Sequence, residues 1–203
     1  MKHLIVYAHP NPESFNHAIL QVVTDKIKSL GGIVEVRDLY KINFNPSYSI
    51  ADYRSMDSDS LPPDVKCEQE YISKADKITF IAPIWWNGLP AILKGYFDRV
   101  FTMDFAVSLI SEGMVGLLGE KKFGMINTFA SSKETMIKNG NIHSLGILID
   151  QGVFAICGSP LCFHQYFYEV NTCGEARRKS MLDEVKKIME QFILNPNYCP
   201  FFG

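Results

Sequence analysis

Residues 78–101 read ITFIAPIWWNGLPAILKGYFDRVF and contain a complete strand, loop and helix pattern. The segment Ile78–Ala82 is mainly apolar and has the length of a strand that is covered on both faces. Pro83 ends that strand, and Pro90 suits the first turn of a helix whose apolar residues recur at helical spacing as far as Phe101. A strand that leads through a loop into a helix is one unit of a parallel sheet.

The same alternation of strands and helices extends towards both ends of the chain. Strands are predicted at Leu4–Ala8, Ile33–Leu39, Ile78–Ala82, Phe123–Phe129 and Val153–Cys157. Helices are predicted at Ile19–Leu30, Val65–Lys74, Pro90–Phe101, part of Glu134–Ile149 and Glu175–Phe192. This alternation predicts right-handed crossovers and one doubly wound, five-stranded parallel sheet with helices on both faces.

The length of 203 residues predicts a single domain that spans residues 1–203. Most of the loop signals, which are Asn-Pro, Asp-Ser and Pro-Pro pairs, fall in the segment Tyr40–Pro63. We expect a long excursion there with little regular structure, and loops of such length are usually functional. Residues 194–203 are expected to form an irregular tail.

Composition excludes several classes of function. The net charge of -2 gives no general electrostatic reason to bind nucleic acid or an anionic membrane. No stretch approaches the roughly 20 apolar residues that span a bilayer, and the first residues lack a signal-peptide pattern. The five cysteines include no Cys-x-x-Cys pair, so no metal site is predicted. We therefore expect a soluble cytoplasmic protein without membrane insertion.

In a doubly wound sheet, ligands bind outside the carboxyl ends of the strands. The first loop in such a place runs from His9 to Asn16, between a strand and a helix whose free backbone N–H groups suit a phosphate. Ser14 and Asn16 add short polar side chains, although Ser14 could simply cap the helix. The loop matches neither the Gly-x-x-x-x-Gly-Lys-Ser/Thr nor the Gly-x-Gly-x-x-Gly pattern.

The second loop, residues 83–90, holds both tryptophans of the chain, Trp85 and Trp86. Adjacent side chains tend to face opposite ways, so at most one indole is expected in the core and the other against a ligand. An indole can stack on an aromatic ring system, while the alternative is that the pair packs onto the following helix. The third loop, Thr128–Ser132, is small and polar and, taken alone, is typical of an ordinary turn.

Together, the three loops resemble the NAD(P)H:quinone oxidoreductase family, a group of flavodoxin-like flavoproteins. The resemblance depends on Leu4–His9 with Ser14–Asn16, on Asp38–Tyr40 with Phe44–Pro46, and above all on the long block Pro83–Phe101. It extends to about residue 160. It implies a flavodoxin-like sheet of strand order 2-1-3-4-5 and a homodimer in which the partner chain completes each site.

The resemblance also implies roles for individual residues. The positions that match the family's flavin-phosphate motif are His9, Ser14, Phe15 and Asn16. Those that match the loop along the flavin ring edge are Pro83, Ile84, Trp85, Trp86 and Asn87. The loop that meets the pyrimidine end of the ring matches Thr128, Phe129, Ala130 and Ser131. The implied cofactor is FAD, with FMN as the alternative.

The implied reaction is a two-electron reduction of a quinone-like acceptor by NAD(P)H through a ping-pong hydride mechanism. Trp86 would be a wall of the stacking slot and His143 a proton or hydrogen-bond donor, or else a surface residue. In mammalian members the third loop is rich in glycine and is followed by a tyrosine and a histidine. Here Ala130-Ser131 replaces the glycines, Met136 aligns with the tyrosine and His143 with the histidine. These departures concern substrate identity.

Three other functions use the same features. A flavin, azo- or nitro-compound reductase would place a different acceptor in the same site. A regulatory flavoprotein subunit of an ion-efflux system would bind flavin without turnover. An electron carrier is disfavoured because a net charge of -2 provides no strongly acidic docking surface. Turnover of a quinone by the isolated protein would distinguish an enzyme from a regulator.

Overall fold

A computed structural model describes residues 1–55, 61–195 and 198 of the chain. Its strands are β1 (Lys2–Tyr7), β2 (Ile33–Asp38), β3 (Lys77–Pro83), β4 (Val107–Ile110), β5 (Gly113–Gly116), β6 (Lys122–Thr128) and β7 (Leu161–Phe167). Its α-helices are α1 (Phe15–Ser29), α2 (Ile50–Ser55), α3 (Pro63–Lys74), α4 (Ala91–Val100), α5 (Lys133–Lys138), α6 (Asn141–Leu145) and α7 (Glu175–Leu194). A π-helix covers Gly146–Ala155.

Five strands form the predicted parallel sheet, in the order β2-β1-β3-β6-β7. The predicted order 2-1-3-4-5 does not match this order as written. The difference arises because the antiparallel hairpin β4–β5, which was not predicted, lies between β3 and β6 in the chain and stays outside the main sheet. Its strands are four residues each, too short for a clear apolar alternation.

The sheet is buried on both faces, which explains why its central strands are continuous apolar runs. Along β1, Leu4 and Val6 pack into the core beneath α3, α4 and the π-helix. Ile5 and Tyr7 point to the opposite face, where they pack against α1 and α7. Alternate residues of one strand therefore serve two separate cores, as the period of two in a strand requires.

The fifth strand of the sheet is not where it was predicted. Val153–Cys157 was predicted as that strand, but it lies in the π-helix and the turn that follows. The strand that pairs with β6 is β7, Leu161–Phe167. A short apolar run fits a buried helix as well as a buried strand, and the polar pair His164-Gln165 hides the strand pattern of β7.

The excursion from Tyr40 to Pro63 contains one short helix, α2, and residues 56–60 lie outside the described residues. Arg99 of α4 bonds residues near both ends of this excursion. The Arg99 guanidinium is buried, bonds Asp52 at 2.8 Å and Asp64 at 2.5 Å, and donates to the carbonyl of Asn45 at 2.8 Å. The hydrogen bond from Arg99 lowers the pKa of Asp64. The excursion is therefore anchored to the helix that follows the tryptophan loop.

Gly95 of α4 gives a first test of this arrangement. A Cβ atom at this position would lie 2.1 Å from the carbonyl oxygen of Pro46, so backbone would have to move. We expect Gly95→Ala to lower the free energy of unfolding by about 1–3 kcal/mol, the usual cost of overpacking. Urea denaturation measures it. The control is Gly146→Ala, where the nearest atom is 3.8 Å away, and an equal loss in both variants would contradict the close approach.

Two sequence predictions concern the ends of the chain and membranes. The predicted tail, residues 194–203, begins inside α7 at Leu194 and falls largely outside the described residues. Among the described residues, no helix is long and apolar enough to cross a membrane.

Candidate active site

A cleft of about 430 Å³ opens at the carboxyl ends of β1, β3 and β6. It is bounded by all three loops that the sequence identified. The residues that line it are His9, Asn11, Glu13, Ser14, Phe15, Asn16, Pro83, Ile84, Trp85, Thr128, Phe129, Ala130, Val170, Asn171 and Arg178. The parallel topology explains this meeting, because the carboxyl ends of parallel strands share one edge of the sheet.

The loop after β1 presents the start of α1 to the cleft. Ser14 is the N-cap, and its hydroxyl accepts a hydrogen bond from the backbone N–H of His17 at 3.2 Å. The capping role of Ser14 is therefore present, and the same residue also lines the cleft. The first N–H groups of a helix have no partner within it, and they carry partial positive charge. This end of the cleft suits an anion.

His9 stands beside this helix start. Its Nδ1 atom accepts from the backbone N–H of Asn11 at 3.1 Å, and its ring meets the indole of Trp85 edge to face, with 5.8 Å between centroids. Burial lowers the pKa of His9 below 6.5, which favours the neutral imidazole at physiological pH. A neutral His9 can donate a hydrogen bond from Nε2 to a ligand, but it adds no positive charge.

Asn16 carries an unpaired polar atom. Its side chain is buried, and Nδ2 donates to the hydroxyl of Thr128 at 2.8 Å across the cleft floor. The other amide atom, Oδ1, is buried and has no hydrogen-bond partner in the described part of the chain. An unsatisfied buried polar atom costs about 1–3 kcal/mol, so such atoms usually mark the place of a ligand group or a water. Because the Thr128 hydroxyl can also donate, the amide can present either end to a ligand.

The second loop forms a tight turn from Trp85 to Gly88. The backbone N–H of each end residue donates to the carbonyl of the other, at 2.9 and 3.0 Å. The two central residues, Trp86 and Asn87, have φ of 50° and 57°. Asparagine accepts this left-handed conformation, but for a bulky residue such as tryptophan it is strained. Neither indole is buried, since Trp85 is 41% exposed and Trp86 is fully exposed, and contact of an indole with a ligand stays a prediction.

Ten of the predicted cofactor residues line the cleft, and the other predicted site residues do not. Trp86 projects from the turn into solvent. Asn87 accepts a hydrogen bond from Asn141 at 3.0 Å, and the carbonyl of Ser131 accepts from the backbone N–H of Glu169 at 3.1 Å. His143 lies exposed on α6 and does not line the cleft. These residues surround the cleft rather than form its wall.

Five lining residues were not predicted: Asn11, Glu13, Val170, Asn171 and Arg178. The most informative is Arg178, in the first turn of α7, which holds its side chain in place by donating to the carbonyl of Cys173 at 2.9 Å. Helical periodicity predicts the helix Glu175–Phe192, but it does not tell which part of the molecule each face of that helix meets. Only the return of the chain through β7 brings Arg178 to the cleft.

Met136, the position aligned with a tyrosine of mammalian relatives, is a buried residue of α5. Its sulfur lies 3.7 Å from Nδ2 of Asn141, the group that also bonds Asn87. Met136 therefore supports the tryptophan turn from behind. It does not line the cleft, and a methionine has no hydroxyl to offer there.

Comparison with known proteins places the chain in a family. Residues 1–192 match a family described by its flavodoxin-like fold. An uncharacterized NAD(P)H oxidoreductase of Haemophilus influenzae is 35% identical over 184 residues, which is 90% of this chain and 91% of the relative. The human ribosyldihydronicotinamide dehydrogenase (quinone) is 31% identical over 201 residues, which is 89% of this chain and 87% of the relative.

A solved structure agrees with these relatives. The NAD(P)H:quinone oxidoreductase from Methanothermobacter marburgensis superimposes with a TM-score of 0.85 at 27% identity, covering 95% of this chain and 98% of that protein. The order of the sheet, the cleft at its carboxyl edge and the named relatives all point to one group. The chain therefore belongs to the flavodoxin-like NAD(P)H:quinone oxidoreductase family that its sequence resembles.

Proposed function

We propose that the protein is a flavin-dependent NAD(P)H oxidoreductase that reduces quinone-like acceptors. The observation that carries the proposal is the buried Asn16 amide, which bonds Thr128 at one end, has no partner among the described residues at the other, and lies at a helix start that suits a phosphate. With its Nδ2 end turned to the ligand, this amide would donate to a phosphate oxygen. The names of the relatives supply the substrate class, because they are NAD(P)H oxidoreductases and quinone dehydrogenases.

The residues of the cleft fit a flavin in one orientation. The loop His9–Asn16 and Arg178 would hold its phosphate, and the loops Pro83–Asn87 and Thr128–Ser131 would border its ring. When bound, the flavin accepts a hydride from NAD(P)H and passes two electrons to the acceptor. The protein's part is to bind and orient the rings. The predicted role of His143 as a donor stays a prediction. His143 is exposed, so a bound substrate or a partner chain would have to extend to it.

The experiment that tests this function uses the purified protein. We expect it to be yellow, to hold one flavin per chain and to oxidise NAD(P)H with a benzoquinone as acceptor. Because donor and acceptor would share one slot, double-reciprocal plots should be parallel. A protein that gains no flavin on incubation with FMN or FAD would contradict the proposal. Flavin without quinone turnover would favour the regulatory alternative, and faster turnover of azo or nitro compounds would favour the related reductases.

The flavin we propose is FAD rather than FMN. FAD needs a site for its adenine, and the long excursion from Tyr40 to Pro63 offers exposed aromatic rings, Tyr48 and Tyr53, for stacking. The partner chain of a dimer would complete that site. A mass spectrum of the cofactor released by heat distinguishes the two flavins directly. A cytoplasmic location stays a prediction of the sequence.

Arg178 allows a test of where the phosphate lies. If its guanidinium bonds the flavin phosphate, Arg178→Gln should weaken FMN binding about tenfold, the value of a charge-assisted hydrogen bond. Riboflavin, which has the same ring and no phosphate, should bind both proteins equally. Fluorescence titration of the apoprotein measures both. Arg177→Gln is the matched control, since Arg177 pairs with Glu169 and does not line the cleft. An equal loss of riboflavin affinity would place Arg178 elsewhere on the ligand.

The proposed functional unit is a homodimer. The hairpin β4–β5 exposes Leu109, Ile110, Met114 and Val115, and the nearby π-helix exposes Leu148. The segments that follow the hairpin and the π-helix meet where the backbone N–H of Leu118 donates to the carbonyl of Cys157 at 2.9 Å. Exposed apolar side chains grouped in this way are typical of an interface, and a second copy of the chain is the partner that the family resemblance implies.

A charge in this apolar surface should therefore impair association. We expect Leu109→Glu to weaken the dimer at least about tenfold, because burial of a leucine contributes about 1.5–3 kcal/mol. Light scattering at several micromolar concentrations measures the change. The control is Leu194→Glu, an equally exposed leucine at the end of α7. A wild-type protein that is monomeric at these concentrations and fully active would refute the dimer.

A further inference from the structure

A buried polar chain runs behind the cleft, on the face of the sheet that carries the π-helix. His164 of β7 is its centre, with a side chain that is only 1% exposed. Its Nδ1 atom lies 2.6 Å from Oδ1 of Asp150, and its Nε2 atom lies 2.7 Å from Oδ1 of Asn127. The Nδ2 group of Asn127 in turn donates to the backbone carbonyl of Ala82 at 2.8 Å.

This buried polar chain ends close to the point where two strands lead into the loops of the cleft. Ala82 of β3 and Asn127 of β6 are paired across the sheet. The next residue of each strand, Pro83 and Thr128, lines the cleft. The pairing of β3 with β6 continues to Pro83 and Thr128, and the backbone N–H of Ile84 then donates to the carbonyl of Thr128 at 2.9 Å. The Asn127 amide adds a side-chain link between the two strands, one residue before their last paired position.

Hydrogen-bond chemistry determines the direction of this chain. Because Nδ2 of Asn127 donates to the Ala82 carbonyl, Oδ1 of Asn127 must accept, so Nε2 of His164 carries a proton. On its other side, Nδ1 of His164 faces the carboxylate of Asp150. The hydroxyl of Tyr166 approaches the same nitrogen at 3.0 Å. The side chains of this buried polar chain keep their hydrogen-bond partners only while His164 is present.

We propose that His164, held by Asp150, is a positioning residue that fixes the Asn127 amide and thereby the spacing of the two loops that border the flavin ring. This inference rests on the proposed function. Stability alone does not explain this polar chain, since apolar residues of similar volume are often as stable as a buried ion pair, and the chain leads to the strand ends that carry Pro83 and Thr128. His3, the other buried histidine of the sheet, bonds Thr79 and lies at the opposite end of the strands.

The test compares flavin affinity with stability in matched variants. We expect His164→Leu to weaken FMN binding to the apoprotein about tenfold, because Asn127 and Asp150 lose their partner. His164→Gln, whose amide can still donate to Asn127, should stay within about threefold of wild type. Asp150→Asn keeps the Nε2 donor and should fall between them. The control is His3→Leu, which should lower the melting temperature without changing FMN affinity.

Two readouts make the outcome decisive. A low-field imidazole N–H resonance in the proton NMR spectrum of the wild type should disappear in His164→Leu and persist in His3→Leu. If FMN affinity falls in parallel with stability in all variants, His3→Leu included, the positioning role is wrong and the chain serves the fold alone. If the wild type binds flavin and His164→Leu binds it equally well, only this inference fails. If the wild type binds no flavin, the proposed function itself fails and the inference fails with it.

Discussion

Acidification from pH 6.5 to about pH 4 is expected to remove about 3 kcal/mol from the free energy of unfolding through one buried residue, His3. The His3 ring is 1% exposed in β1, with Nε2 bonded to the hydroxyl of Thr79 at 2.8 Å and Nδ1 without a partner among residues 1–55, 61–195 and 198. Burial, and then the positive charge of Lys77, lower the pKa of His3 from 6.5 to about 3. The folded protein therefore contains neutral His3.

The sign of the effect follows from which state binds the proton. Between the pKa of about 3 in the folded state and 6.5 in the unfolded chain, only the unfolded chain protonates His3. The stability that neutral His3 allows is complete above pH 6.5. It declines by about 1.4 kcal/mol for each pH unit as the pH falls towards 3. Urea denaturation at a series of pH values measures this slope.

The variant His3→Leu should remove most of this slope. It leaves the buried Thr79 hydroxyl without its partner, which costs about 1–3 kcal/mol at every pH. The variant is therefore expected to be less stable than wild type at pH 7 and more stable near pH 4, so the two curves cross. His143→Gln, at an exposed position, is the control and should leave the slope unchanged. Parallel curves for wild type and His3→Leu would show that protonation of His3 does not destabilise the folded protein.

Much of the fold could be predicted from local patterns, because the central strands are buried on both faces. Such strands are continuous apolar runs, and β1, β3 and β6 all show one. The edge of the sheet was harder to predict. β7 carries His164, which belongs to a buried polar chain, and Gln165, whose side chain donates to the carbonyl of Tyr166, and the two interrupt the apolar pattern. The more apolar Val153–Cys157 lies in the π-helix and the turn that follows. Tertiary hydrogen bonds, which a sequence window does not contain, decide between the two.

The candidate site, too, could be predicted only in part. Three loops could be predicted because each directly follows a strand, and the rule for parallel sheets brings their ends together. Arg178 could not be predicted in this way, because it reaches the cleft from a helix some 50 residues beyond the third loop in sequence. The unpaired oxygen of Asn16 is likewise a property of three-dimensional packing, since it depends on how Thr128 uses the other end of the amide.

Trp86 combines two features that are each unfavourable for an isolated chain. Its backbone has φ of 50°, and its side chain is fully exposed. Left-handed backbone at a bulky residue costs of order 1 kcal/mol or more and usually persists at functional sites. An exposed indole at the rim of a cleft gains nothing for folding. The two costs are understandable if a bound nicotinamide or quinone ring, stacked over the cleft, covers the indole.

We therefore expect Trp86→Gly to separate activity from stability. Glycine adopts the left-handed turn without strain, so the melting temperature should stay the same or rise by up to about 3 °C. Loss of the stacking surface should lower kcat/KM for a quinone on the order of 100-fold, equivalent to about 2.7 kcal/mol. Thermal melts and steady-state kinetics on the same preparation give both numbers. Ile33→Gly, an exposed apolar residue at the other end of the sheet, is the control for general surface effects.

The competing explanation is that a partner chain, rather than a substrate, covers the Trp86 indole. In that case Trp86→Gly would weaken the dimer, and activity would return as the protein concentration is raised. If the indole contacts substrate, the loss of kcat/KM is independent of protein concentration, and the dimer stays intact by light scattering. A variant with full activity per folded molecule and an intact dimer would exclude both roles and leave the strained turn without a function in this site.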